Sequence, residues 1–221
     1  MTTIGFIGGT GPEGLGLAMR MAMAGHAIRV GSRRVERAEE AARTVRAAVE
    51  AAGSSVDVAG AVNAEICQQA ELLVIVVPFD GHEPTCNDLR AAIGGKIVID
   101  AAVPLVFNEG VPGVAAVQQG SATEQAQALL PDARVVGAFH NLSAKKLQDL
   151  KRPMAGDVLV TGDDVEAKQA VLDLIAEMQE LRGVDAGPLA LSKFVEDLTA
   201  LILGINRRYK TLAAVQMVGL E

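Results

Sequence analysis

Short runs of β-branched and aliphatic residues alternate along the chain with longer, alanine-rich segments whose apolar residues recur every three or four positions. That alternation is the pattern of a parallel sheet covered by helices on both faces. It predicts strands over residues 3–8, 28–31, 56–59, 72–77, 96–99, 134–138 and 157–161, several of them apolar without interruption. Helices are predicted over 11–24, 35–52, 63–69, 85–92, 123–130 and 165–181, with Gly25 and Gly53 where helix stop signals belong. Residues 101–120, rich in glycine and proline and without a clear period, read as one long loop of the kind that often serves as a lid or binding loop. Beyond residue 161 come the helix over 165–181, a short extended piece over 181–186 and a last helix. Leu191, Phe194, Val195, Leu198, Leu201, Ile202 and Ile205 give that last helix one wide apolar face. The expected fold is α/β, a Rossmann-type doubly wound, mostly parallel sheet with a small C-terminal helical unit. A soft boundary near Met154 divides a nucleotide-binding domain, residues 1–154, from a C-terminal unit, 155–221, that closes the cleft.

Charge and composition narrow the chemistry. With 27 acidic against 20 basic side chains, a net charge of −7 and no Trp, neither a polyanion-binding surface nor a base-stacking platform is expected, so nucleic acid is a poor partner. Cys67 and Cys86 match neither a disulfide scaffold nor a thiolate metal site, and no metal is expected. The chain opens without a basic stretch followed by an apolar one, and its longest apolar run, residues 72–79, is far short of the ~20 residues that span a bilayer. A cytoplasmic protein without membrane contact is the expectation.

The sharpest motif is Gly9-Thr10-Gly11-Pro12-Glu13-Gly14, placed between the first strand and the first helix. In that context Gly9 allows the tight turn, Gly11 admits a pyrophosphate to the backbone, and Gly14 lets helix and strand pack closely. The helix N-terminus favours the anion through unpaired N–H groups and the dipole. Pro12 has no N–H, which leaves Glu13 and Gly14 as the donors. About 20 residues beyond Gly11, where an NAD site would carry a carboxylate for the ribose, the second strand ends in Ser32-Arg33-Arg34, with Arg37 a turn later. Guanidinium forks suit the 2′-phosphate of NADP. The bland alternative is a solvated helix start paired with Glu36, Glu39 and Glu40, but cations there oppose the helix dipole.

Val77 and Pro78 end the fourth strand at the carboxyl edge, where such sheets bind ligands, and Phe79 reads either as a neighbour of the nicotinamide or as a core aromatic. His26 reads as structural, and His82 as a surface or capping residue. His140, after the strand over 134–138, either lines the substrate site or is a hydrogen-bonded histidine in its wall. No hydrolase constellation is present, and no strong acid–base pair can be located.

Gly8-Gly9-Thr10-Gly11, Val30-Gly31-Ser32-Arg33-Arg34, Val77-Pro78, Val136-Gly137-Ala138-Phe139-His140 and Asp185-Ala186-Gly187-Pro188-Leu189 fall in one order and spacing. In these motifs the chain resembles the NADPH-dependent coenzyme F420 reductases over nearly its whole length. It departs from their pattern at Pro12-Glu13, where Asn-Leu is familiar, and at Phe79, where a Trp is familiar. The resemblance implies reversible hydride transfer between NADP(H) and the deazaflavin F420, with no catalytic side chain certain and His140 as the deazaflavin-side candidate. It implies that Thr10, Ser32, Arg33, Arg34 and Arg37 hold NADP, that Pro78 and Phe79 border the nicotinamide, and that His140, Leu142, Gly187, Pro188 and Leu189 face the deazaflavin. Two other readings remain: a reductase of another small acceptor (imine, ketone or flavin), and a non-catalytic NADP(H)-binding sensor. The apolar terminal helix points to a homodimer. Arg207, Arg208 and Lys210 either meet an anionic tail or satisfy the helix dipole.

Overall fold

A computed structural model describes residues 1–220. Eight strands form one sheet in the order β10-β9-β8-β5-β4-β1-β2-β3. The first six to appear in the chain are β1 (Thr3–Ile7), β2 (Ala27–Ser32), β3 (Val58–Val62), β4 (Leu72–Ile75), β5 (Ile97–Asp100) and β8 (Arg134–Gly137), all mutually parallel. Between them run α1 (Pro12–Met23), α2 (Val35–Ala51), α3 (Asn63–Gln69), α4 (His82–Ile93) and α5 (Ala122–Leu129). β9 (Gly156–Gly162) returns antiparallel to β8, and β10 (Leu181–Gly187) runs parallel to β9 at the edge. The doubly wound α/β fold expected from the sequence is the one observed.

The uninterrupted apolar strands feed two cores. In β4, Leu72 and Val74 enter the core shared with α1, α2, α6 (Ala144–Gln148) and α7 (Val165–Ala176), while Leu73 and Ile75 enter the one under α3, α4 and α5. Val136 and Val135 in β8 divide in the same way. A period-2 backbone with both faces covered requires such runs. Cys67 and Cys86 are buried in the second core, where burial raises both thiols, to about 11 and about 12. Met154 is buried in the first core, and the sheet continues past it without a break.

Two segments differ from the sequence reading. Residues 101–120 hold a two-stranded hairpin, β6 (Leu105–Asn108) and β7 (Val111–Val114). Glu109 and Gly110 both have positive φ, 50° and 80°, as a two-residue hairpin turn demands. The usual Asn-Gly signal is missing, and Pro112 hides a strand that a two-stranded ribbon tolerates because both strands are edges. The helix over 165–181 ends at Ala176, because Leu181 is drawn into β10 beside Gly156. α8 (Ser192–Tyr209) then packs against β7 and α5.

Candidate active site

All carboxyl ends of the parallel strands open on one cleft of about 1140 Å³. A single-ligand pocket holds roughly 300–1,000 Å³, so there is room for more than one small molecule. Strand order arranges its lining. The end of β2 contributes Ser32, Arg33, Arg34 and Arg37; the β1–α1 turn, Thr10 to Gly14; β4, Val77 and Pro78; β5, Ala101 and Ala102; β8, His140 and Leu142.

The glycine turn has the geometry its spacing promises. Gly9 N–H donates to Gly31 O (3.1 Å), tying the turn to β2. A Cβ on Gly14 would stand 2.7 Å from Gly9 Cα, so helix and strand touch backbone to backbone there. A Cβ on Gly11 would meet nothing within 4 Å, so the backbone at Gly11 has open space before it. Gly11 is the N-cap of α1 and Pro12 follows at the first helical position; no side chain caps the end, which leaves the amides of Glu13 and Gly14 for a ligand. Glu13 lines the same cleft, and its Oε1 is inaccessible and unpartnered. Burial pushes this carboxyl up to about 8.

At the end of β2 the Ser32 hydroxyl accepts Arg34 N–H (3.3 Å) and shapes the turn into α2. Arg33, Arg34 and Arg37 are exposed, line the cleft and have no carboxylate partner within ion-pair distance among the described residues. The pairing with Glu36, Glu39 and Glu40 that would make them a solvated helix start is therefore not formed.

A buried polar layer lies beside the other half of the cleft. His82 is wholly buried at the start of α4, where a surface or capping role was expected. Its Nε2 lies 2.6 Å from Asp100 Oδ2 and its Nδ1 2.9 Å from Gln125 Oε1. Burial alone would lower the imidazole, but Asp100 overrides it and raises it to about 9. Asp100 closes β5, and its Oδ1 accepts Ala102 N–H. Glu196 of α8, 1% exposed, accepts the amides of Ala122 and Thr123 at the start of α5, where the Ser121 hydroxyl accepts the next one, Glu124 N–H. Burial raises its carboxyl to about 7 against those hydrogen bonds. Thr123 Oγ1 donates to Glu196 and lies 3.4 Å from His140 Nε2. His140 thus lines the cleft while its ring is held in the wall. Burial lowers it to about 4, which keeps the imidazole neutral, and its Nδ1 has no partner among the described residues. The preceding Phe139 is wholly buried with φ 72°, a costly conformation for a bulky residue of the kind that clusters at functional sites.

Several expected residues lie elsewhere. Gly9 is buried inside the turn rather than lining the cleft. Phe79 stacks on His82, with ring centroids 5.9 Å apart, and does not line it. Gly187, Pro188 and Leu189 also lie outside the lining. Leu189 is buried and its N–H is taken by Asp163, so this turn fixes the start of α8, and α8 itself lines the cleft through Thr199, Ile202, Leu203 and Asn206. His26 accepts Thr2 N–H at the far edge of the sheet. Arg207 is spent on Gly110 O in the hairpin turn. Sequence reasoning missed Asn141, Lys145, Leu212 and Ala213, which carry no motif and reach the cleft only through tertiary placement. Among the described residues no group of His, Cys, Asp and Glu could hold a metal ion.

Comparison with known proteins gives this geometry a lineage. Residues 3–104 match a family model described as NADP oxidoreductase coenzyme F420-dependent. The chain is 35% identical over 210 residues to the F420-dependent NADP reductase of Methanocaldococcus jannaschii, covering 94% of each chain. It is 36% identical over 207 residues to that of Methanothermobacter marburgensis, covering 92% of each. The chain belongs to the F420-dependent NADP reductase family. Among solved structures, a putative F420-dependent NADP-reductase from Arthrobacter sp. FB24 superposes over the whole of both chains with a TM-score of 0.81 at 23% identity, which speaks for the fold. The segment matched by the F420-dependent oxidoreductase family model carries the glycine turn, the arginine cluster and Pro78. His140 and α8 lie beyond it, in the part that only the full-length relatives reach.

Proposed function

We propose that the chain is an oxidoreductase that moves hydride reversibly between NADP(H) and F420. The observation that carries this reading is one continuous cleft with the glycine turn and three exposed arginines at one end and the buried His140 at the other. The two cofactors carry the chemistry when bound, as hydride donor and acceptor.

The strand order supports a place for each. The open space at Gly11 and the free amides of α1 fit a pyrophosphate, and Ser32, Arg33, Arg34 and Arg37 fit the 2′-phosphate. From β1 the sheet edge leads over β4 and β5, so a dinucleotide anchored there extends its nicotinamide across Pro78 and Ala101. The deazaflavin is left the space against β8, between His140, Leu142 and α8. No acid–base pair is required; the walls hold two rings in contact and exclude water.

Residues 155–221 act as the unit that closes this acceptor side, a functional division within one continuous sheet. The stripe Phe194, Leu198, Leu201 and Ile205 runs down the outer side of α8, and Phe194 and Leu201 are more than 60% exposed. Phe107 and Val111 of the neighbouring hairpin are as open. This supports a homodimer across α8. The unpaired buried cysteines and the acidic net charge support a cytoplasmic enzyme whose partners are small molecules. Among the described residues no helix is long and apolar enough to cross a membrane.

The test is direct: with NADPH, the purified protein bleaches the absorbance of oxidised F420. Turnover with a ketone, imine or flavin but not F420, or tight NADPH binding without any transfer, would refute the reading. Light scattering of the Leu201→Glu variant against the parent reports the dimer.

A further inference from the structure

After α8 the chain turns at Lys210, in the left-handed region at φ 50°, and the Asn206 side chain holds the reversal by accepting Ala213 N–H (2.6 Å). Leu212 and Ala213 then line the cleft. Residues 214–217 run on to the start of β9, where Asp157 N–H donates to Val215 O (2.8 Å) and the Asp157 carboxylate accepts Met217 N–H. Directly across on β10, Arg182 forks onto both Asp157 oxygens, 2.9 and 2.7 Å, and also donates to Met217 O (2.6 Å). The Asp157 side chain is 3% exposed. Gly156 has no side chain where a Cβ would come 3.1 Å from Ala214, which lets the segment lie against the sheet.

Asp157 also reaches the opposite wall. Its carbonyl accepts Asn141 Nδ2 (2.8 Å), and Asn141 lines the cleft beside His140. Because β9 is antiparallel to β8, the first residues of β9 rise beyond the carboxyl end of β8, level with the cleft mouth. One buried carboxylate residue therefore ties together the β8–α6 loop, the segment after α8 and the sheet edge. None of these contacts touches the phosphate turn or the arginine cluster.

We propose that Asp157 is a positioning residue for the acceptor side of the cleft: with Arg182 it buckles residues 211–217 to β9, so that Leu212 and Ala213 form a fixed wall against which the hydride acceptor is held. The inference rests on the hydride-transfer reading for what occupies that wall, and on geometry alone for the buckle. A buried carboxylate satisfied by a two-pronged guanidinium and a backbone amide is a strong, directional fastening. Its loss frees the segment without opening the sheet, since the β9–β10 ladder does not depend on it.

The experiment compares the parent with Asp157→Asn, Arg182→Gln and a chain lacking residues from Ala214 onward. Limited proteolysis without any acceptor is expected to cut within residues 209–217 roughly tenfold faster in Asp157→Asn, as a segment released into an open state would be. The KM for oxidised F420 is expected to rise about fivefold or more in all three, with kcat within about twofold and NADPH affinity unchanged. The truncated chain guards against misfolding of the point variants, because it removes the fastened residues that hold Leu212 and Ala213 in place and leaves the ion pair. Parent-like proteolysis of Asp157→Asn, or an acceptor KM within about twofold of the parent in both Asp157→Asn and the truncated chain, overturns the buckle. Absence of F420 turnover in the parent counts against the hydride-transfer reading instead, while the proteolysis still decides the buckle.

Discussion

His82 and Asp100, from the start of α4 and the end of β5, form an ion pair 2.6 Å long with neither side chain exposed. The pair stands directly behind Ala101 and Ala102 of the cleft floor, where the Asp100 carboxylate also fixes the turn through Ala102 N–H. Removing one partner of a buried pair leaves an uncompensated charge and costs about 3–5 kcal/mol. Asp100→Asn should therefore lower stability by that order. The pH signature follows from the raised imidazole. A histidine moved from 6.5 to about 9 contributes stability that is fully present below 6.5 and is lost as pH rises through about 9. Urea unfolding across that range should show the parent losing its advantage over Asp100→Asn toward the alkaline end. A constant difference would mean the histidine is neutral throughout.

The two inner glycines of the turn should separate folding from binding. Gly14→Ala forces a Cβ against Gly9 backbone atoms that cannot swing aside, so overpacking of about 1–3 kcal/mol is expected together with weakened NADPH binding. Gly11→Ala meets open space at φ −81°, a conformation any residue adopts, so its stability should change by less than about 1 kcal/mol. The new methyl would stand where the pyrophosphate approaches, and NADPH affinity should fall about tenfold or more. Thermal melts beside NADPH fluorescence titrations check both. A stable Gly14→Ala or a tightly binding Gly11→Ala would contradict the assignment.

Arg33→Asp tests the preference for the 2′-phosphate. The substitution places a carboxylate where a fork donor faces the cleft, so NADPH affinity should drop roughly a hundredfold while NADH loses less than about threefold. Equal losses in the two titrations would reduce Arg33 to a general surface cation.

The parts legible in the sequence are those set by local rules. Continuous apolar runs such as 72–75 announce a strand buried on both faces, and the Gly9–Gly14 spacing announces a tight turn into a helix start that no side chain caps; both follow from backbone geometry over a few residues. The parts missed depend on partners distant in sequence. His82 looks like a surface residue after Asp80-Gly81, and becomes a buried cation only because Asp100 and Gln125 arrive from β5 and α5. Glu196 looks like a polar position on an amphipathic helix, yet it caps the start of α5, 73 residues earlier at Thr123. Gly187-Pro188-Leu189 has the family's spacing but acts one step removed, by fixing where α8 begins. In the hairpin, Glu109-Gly110 supplies the positive φ angles without the side chain that usually signals them.

Glu13, in the first turn of α1, is expected to give the cofactor end a pH dependence of its own. Its Oε1 is cut off from water and unpartnered, and burial raises the carboxyl from 4.5 to about 8. Near neutral pH the group is therefore neutral and can donate a hydrogen bond, whereas a carboxylate beside the first turn of α1 would repel a pyrophosphate. For folding, an acid raised in this way gives stability that is fully present below 4.5 and is lost as pH rises through about 8. For binding the sign is the same: NADPH affinity should weaken as pH passes about 8, since each ionised Glu13 must regain its proton before the anion can settle beside it. The loss approaches roughly tenfold for each further step of one in pH. Glu13→Gln keeps the shape and cannot ionise, so its NADPH affinity should stay level across the same range and exceed that of the parent at the alkaline end. Titrations of parent and variant from about pH 6.5 to 9.5 decide the matter, since the two proteins differ only at that side chain. Parallel pH curves for the two proteins would show that Glu13 does not face the bound phosphates.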